Sequence, residues 1–289
     1  MPLKVIYSER FLEYKEDGHP ESPGRIKAIE SFLRNKKNSF EFISPSACDE
    51  KDLLLAHTEE LVRKVKENSF FDPDTPNIPG IYFYASLSCG AALEAVRIAL
   101  AGETSFALSR PPGHHAGKNT LGGFCYFNNM AVAVKKILHE TGLRAAVLDI
   151  DGHHGNGTEE ILKGEERAVY ASIHQYPAFP GTGSVSFGNC YNFPVFPGSD
   201  SKKYMDKFAD AVAAIEDFCP DVLGISAGFD TNMDDPLLDL NLEDVHFYRM
   251  GRMVSKASVK KVFVLLEGGY NIKTLGNACF CFLNGLSGR

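Results

Sequence analysis

The sequence predicts a single α/β domain over residues 1–289, with a mostly parallel central sheet flanked by helices. Three observations predict it. Short runs rich in Val, Ile, Leu and Ala recur along the chain. Amphipathic stretches at helical spacing separate most of them. Four of the runs also deliver glycines and titratable side chains just past their carboxyl ends, the edge where open α/β sheets bind ligands.

The expected strands are Lys4–Tyr7, Ser105–Leu108, Ala145–Ile150, Val169–Ile173, Val222–Ser226 and Val262–Leu266. Their length and near-continuous apolar content suit strands covered on both faces. Helices are expected over Ser88–Ala101, Asn128–Thr141, Lys202–Phe218 and Glu243–Ala257, where apolar residues recur on one face. One more helix is expected near the end of the chain, where Cys279 and Cys281 would point in different directions. The Pro- and Gly-containing segments Phe71–Ile81 and Tyr176–Gly183 read as ordered loops.

Composition narrows the function class. Hydrophobic residues make up 44% of the 289, enough for a substantial core and too many for a disordered chain. A net charge of -7 argues against direct nucleic-acid binding as the main activity. The N-terminal residues lack the basic and apolar regions of a secretory signal. No stretch reads as long and apolar enough to span a membrane, so no membrane partner is expected. The seven cysteines include no C-x-x-C pair, which suggests free thiols in a reducing, cytoplasmic setting.

The chemistry gathers at the strand ends, in SRPPGHHA, DIDGHHGNG, SAGFD and EGGY. Asp151 and His153 stand one residue apart as a strand runs out, and alternate residues of an extended segment face the same side. A carboxylate and an imidazole placed so can share a cation, with Asp230 as third ligand. One histidine and two carboxylates suit catalytic Zn²⁺ and leave room for water and substrate; Fe²⁺ or Co²⁺ would also accept the set. A lone D-x-H is otherwise an ordinary surface turn, so the other strand ends carry the weight.

The blocks RPPGHHA (110–116), GGFCYFNN (122–129), DIDGHHGNGT (149–158), FPGTG (179–183), SAGFD (226–230) and EGGYN (267–271) resemble the signatures of the histone deacetylase superfamily. HPESPGRI (19–26) resembles its N-terminal block. The superfamily includes acetylpolyamine amidohydrolases and acetoin-utilisation-type proteins. The blocks keep the family's order over nearly the whole chain, and the pattern is closest to class II and bacterial members. The resemblance implies an arginase/deacetylase-type fold with one catalytic metal.

By resemblance, Asp151, His153 and Asp230 match the zinc ligands. His114 and His115 match the tandem active-site histidines, with Asp149 and Asn156 as the partners on their other ring nitrogens. Amide hydrolysis needs a base for the water and an acid for the departing amine, which is work for histidine. Asn156 departs from the class I pattern, in which both partners are Asp. An Asn cannot stabilise an imidazolium as a carboxylate does, so any ease of protonating His115 is expected from contacts other than Asn156. Tyr270 matches the tyrosine that holds the substrate carbonyl and its oxyanion. Gly123 matches the carbonyl donor to the scissile amide, and Phe124 and Phe179 match the aromatic tunnel walls. Cys125 would lie beside the acetate-release region or simply pack in the core. Asp149, Asp151, His153, Ser172 and the backbone of Ile173 resemble a structural K⁺ site. Asp74 is a candidate rim carboxylate, or a solvated loop acid.

The resemblance implies acylated lysine side chains or acylated polyamines as substrates. Polyamine-selective relatives place an acid after the last zinc ligand, where this chain has Leu237. That favours acyl-lysine or an apolar acyl substrate. A catalytically inactive acyl-ligand binding protein is the remaining reading; such proteins usually lose a ligand, a histidine or the tyrosine, and none is lost here.

Overall fold

Among the described residues, eight strands form one sheet in which every pairing is parallel. The computed structural model describes residues 2–36 and 38–288; Met1, Lys37 and Arg289, and so both ends of the predicted 1–289 span, lie outside it. The strands are β1 (Leu3–Ile6), β2 (Phe40–Ile43), β3 (Ser105–Ala107), β4 (Ala145–Asp149), β5 (Ala168–Gln175), β6 (Cys190–Val195), β7 (Val222–Ala227) and β8 (Lys261–Leu266). They lie in the order β2-β1-β3-β8-β7-β4-β5-β6. Parallel neighbours need crossovers. These are supplied by α1 (Pro23–Arg34), α2 (Glu50–Leu53), α3 (Glu59–Lys66), α4 (Ile81–Leu100), α5 (Asn129–Glu140), α6 (Asn156–Leu162), α7 (Ser201–Phe218) and α8 (Asp244–Lys256), with α9 (Ile272–Leu286) after the last strand.

Every residue of β4, β5 and β7 is buried, as expected of strands covered on both faces. The two strands absent from the sequence reading, β2 and β6, are the sheet's edges. Both are partly exposed, so neither carries a continuous apolar run. β6 also contains Pro194, whose missing N–H an edge strand tolerates. Helix α1 opens on Pro23, which reads as a break in sequence but fits a first helical turn.

Helix α4 begins at Ile81 rather than Ser88 and corrects the membrane expectation. Its 20 residues are long and apolar enough to cross a membrane by composition, with mean hydropathy 1.3. In this fold 67% of that window is buried inside the protein, packed against β1, β3, β8 and α5, so it is a core helix.

Candidate active site

Strands β3, β8, β7 and β4 are neighbours at the centre of the sheet, so their four polar ends converge. Strand β4 stops at Asp149, and residues 151–153 form a bend. Asp151 and His153 therefore meet through a turn, not through the strand alternation expected from their spacing. The His153 N–H donates to Asp151 Oδ1 at 2.9 Å, which closes that turn. His153 Nδ1 lies 2.7 Å from Asp230 Oδ2 and 3.2 Å from Asp151 Oδ1.

The three ligand atoms offered by Asp151, His153 and Asp230 lie within 4.8 Å of one another. The second oxygen of each carboxylate is held by backbone. Gly268 N–H donates to Asp151 Oδ2 and Gly152 N–H to Asp230 Oδ1, both at 2.7 Å. A Cβ at Gly268 would fall 2.6 Å from Asp151 Oδ2 and 2.8 Å from Asp230 Oδ2, so only glycine approaches both acids. Burial and the charge of Asp151 push Asp230 up to about 7. His153 is pushed up to about 10: burial opposes its charge, but hydrogen bonds to Asp151 and Asp230 outweigh it. Two carboxylates buried this close call for a cation between them, and one nitrogen with two oxygens is a set that fits a divalent ion.

The tandem histidines stand beside this set, their ring centroids 4.0 Å apart. His114 Nδ1 is 3.1 Å from Asp149 Oδ2, and its Nε2 is 3.8 Å from Asp151 Oδ1. Burial lowers its affinity for a proton, but Asp151 and Asp149 win and carry it up to about 10. His115 Nδ1 is 2.8 Å from Asn156 Oδ1. Burial, then the charges of His114 and His153, hold His115 well below its usual range. The Asn156 bond itself favours the charged ring, which corrects the expectation that only other contacts would do so, but burial outweighs it.

The loop bearing both histidines is pinned from two sides. Glu267, fully buried, accepts the N–H groups of Gly113 (2.7 Å) and His114 (3.2 Å) on one oxygen and the Ser226 hydroxyl (3.0 Å) on the other. The first turn of α6 donates from Gly157 and Thr158 to the His114 carbonyl, each at 3.1 Å.

A cavity of about 260 Å³ opens over these groups. Asp74, His115, Gly123, Phe124, His153, Phe179, Leu237 and Tyr270 line it. The expected wall, rim and tyrosine positions are thus brought together. Phe179 lies edge-on to His115 at 5.0 Å, and Phe124 edge-on to Tyr270 at 5.8 Å. Cys125 is buried beside the cavity, its thiol 3.3 Å from the Gly123 carbonyl. Burial, opposed by Arg25, pushes the Tyr270 phenol well above its usual range, so it carries a proton at neutral pH.

Several residues that support the site carried no role in the sequence reading. Arg25 donates from Nε to the Gly269 carbonyl at 2.6 Å and from a second nitrogen to the Glu267 carbonyl. Arg110 forks onto Glu21 at 2.7 and 2.8 Å, and Glu21 also meets Arg25 at 3.2 Å. Asp235 accepts the N–H groups of Tyr270 (2.7 Å) and Leu237 (3.0 Å). The block HPESPGRI was the available signal for Glu21 and Arg25.

Residues 19–286 match the family model described as "Histone deacetylase domain". A protein of Methanothermobacter thermautotrophicus named "Probable deacetylase" is 34% identical over 303 aligned residues, covering 99% of this chain and 91% of its own. Acetylpolyamine amidohydrolase 1 of Pseudomonas aeruginosa is 35% identical, covering 75% of this chain and 66% of its own. The crystal structure of the HDA15 HD domain matches with a TM-score of 0.92 and 32% identity, over 99% of this chain and 91% of that one. The chain belongs to the histone deacetylase family and is an amidohydrolase, a hydrolase of amide bonds.

Proposed function

We propose that this chain is a zinc-dependent deacetylase that hydrolyses the acyl amide of N-acetyl-lysine or a closely related acylated amine, as one catalytic domain over residues 1–289. Asp151, His153 and Asp230 would hold the ion; Fe²⁺ and Co²⁺ also suit the set. When bound, it would polarise the acyl carbonyl and acidify a water.

The observation that carries the reading is the contact of His115 Nδ1 with Asn156 Oδ1. Asn156 Oδ1 accepts at 2.8 Å, so Nδ1 holds the hydrogen and Nε2 keeps its lone pair. His115 lines the cavity, so that lone pair is available to a water there. His115 takes the proton from the attacking water and returns it to the departing amine. His114, partnered by Asp149 at 3.1 Å and with its ring centroid 4.0 Å from that of His115, tunes the electrostatics of the site. Tyr270 donates a hydrogen bond from its phenol to the carbonyl oxygen and its oxyanion, and the Gly123 carbonyl accepts the amide N–H. Phe124 and Phe179 flank the methylene chain, with Leu237 and Asp74 at the mouth.

A structural K⁺ at Asp149, Asp151, His153, Ser172 and the backbone of Ile173 belongs to the same proposal. Ser172 pairs in register with Asp149. His174 Nε2 lies 2.9 Å from the Gly183 carbonyl, which only accepts, so Nε2 carries the hydrogen. His174 Nδ1 must then accept from Ser172 at 2.8 Å, which leaves the Ser172 oxygen its lone pairs for a cation. The seven free cysteines support a reducing, cytoplasmic setting.

Steady-state kinetics on zinc-loaded protein test the substrate. We expect a higher kcat/KM for an acetyl-lysine peptide than for acetylspermidine or acetylputrescine, because the segment after Asp230 presents Leu237, not an acid, to the cavity. The reverse order would make the chain an acetylpolyamine amidohydrolase. Binding of acylated ligands without hydrolysis of any would make it an inactive binder.

A further inference from the structure

Phe124 is one of four non-glycine residues at positive φ among those described, at +71°, and it is the one that lines the cavity. A side chain with a Cβ is disfavoured there and stays only where its surroundings hold it. The ring can face the cavity because of this backbone turn, so whatever holds the turn also holds the wall.

Three contacts hold it. Gly122 and Cys125 exchange both backbone hydrogen bonds at 3.0 Å, closing a tight turn around Gly123 and Phe124. The Phe124 N–H points out of that turn and donates to Thr75 Oγ1 at 3.0 Å. Thr75 is buried, with 1% of its surface exposed, although its neighbour Asp74 is exposed. The His19 ring packs edge-on against Phe124 at 4.6 Å, and its Nε2 reaches the Asp74 carbonyl at 3.2 Å.

We propose that Thr75 is a positioning residue for substrate affinity: its hydroxyl oxygen fixes the left-handed backbone of Phe124, and so sets the Phe124 wall against the substrate's carrier chain. The proposal rests on the acyl-amide reading of the cavity. A side-chain acceptor is needed because the turn leaves the Phe124 N–H no backbone partner, and an unpaired N–H there is costly. The carrier chain touches the wall equally before and during reaction, so the wall contributes uniform binding and should appear in KM more than in kcat.

The test pairs Thr75→Val, which keeps the shape and removes the acceptor, with Thr75→Ser, which keeps the acceptor. In Thr75→Val we expect KM for an acetyl-lysine peptide to rise about tenfold, the size of one lost hydrogen bond, with kcat within about twofold. Thr75→Ser should behave as wild type. Hydrogen exchange gives a readout independent of catalysis: the Phe124 N–H should exchange faster in Thr75→Val and not in Thr75→Ser. If Thr75→Val does not fold, Thr75→Ala carries the same expectations. Wild-type exchange at Phe124 in the folded acceptor-less variant, or a fall in kcat at unchanged KM, overturns the proposal. A wild-type protein that hydrolyses no acyl amide would instead overturn the reading of the cavity, while the exchange result would still stand.

Discussion

The guanidinium carbon of Arg25 stands 4.8 Å from the centroid of the Tyr270 ring while its Nε donates to the carbonyl of Gly269, the residue just before that tyrosine. One buried cation thus sets both the backbone and the face of the candidate oxyanion donor. Its charge is balanced by Glu21, which is also gripped by Arg110.

Arg25→Lys keeps the charge but cannot span the Glu267 and Gly269 carbonyls. Tyr270 should lose its placement, and kcat should fall about tenfold to a hundredfold, the range expected for a catalytic group misplaced by a fraction of an ångström to one ångström. Steady-state kinetics on one acetylated peptide measure it. An unchanged kcat would remove Arg25 from the account.

Glu267 lies fully buried under the histidine loop, and burial pushes its carboxyl up to about 7. Its work is to accept two backbone N–H groups on one oxygen. Glu267→Gln should therefore keep activity within a few-fold. Glu267→Leu leaves both N–H groups unpaired and should cost roughly 2–5 kcal/mol of stability with a large loss of kcat. Thermal unfolding and kinetics of the two variants test the distinction; equal loss in both would show that the charge is what matters.

Asn156→Asp places a carboxylate on Nδ1 of His115. An adjacent negative charge favours the protonated ring and raises its pKa. A base must be neutral to act, so the acidic limb of the pH–rate profile should move to higher pH. An unmoved limb at unchanged rate would remove Asn156's tuning role.

His57 gives a pH dependence away from the metal set. Its Nδ1 lies 2.9 Å from the Gly117 carbonyl and its Nε2 accepts the Asn128 N–H at 2.9 Å, so the ring is built in as neutral. Burial lowers its pKa from 6.5 to about 4, against the opposing pull of the Gly117 bond. Between those values the unfolded chain binds a proton that the folded chain refuses. Its stabilising contribution is intact above pH 6.5 and is lost as pH falls toward 4, up to about 3 kcal/mol. Urea unfolding at a series of pH values should show this slope in the wild type and a shallower one in His57→Asn.

What the sequence made legible follows from range. The central strands were readable because burial on both faces writes a continuous apolar run, as in β4 and β7. The edges β2 and β6 lack that run, and β6 also carries Pro194, a residue that interior strands exclude. Asp151, His153 and Asp230 were readable because each follows a strand end. For Arg25 only the block HPESPGRI was a signal, and its role was hidden because its partner Gly269 is 244 residues away. Thr75 likewise looks like a loop residue until the fold brings Phe124 to it.

On the proposed reading, one divalent ion held by Asp151, His153 and Asp230 makes this chain a deacetylase. The direct measurement is hydrolysis of an acetyl-lysine peptide by chelator-stripped protein during a Zn²⁺ titration. We predict background activity in the stripped protein and recovery to a plateau at about one ion per chain, with no recovery in Asp230→Ala. Full activity in the stripped protein, or an equal plateau in Asp230→Ala, would contradict the account.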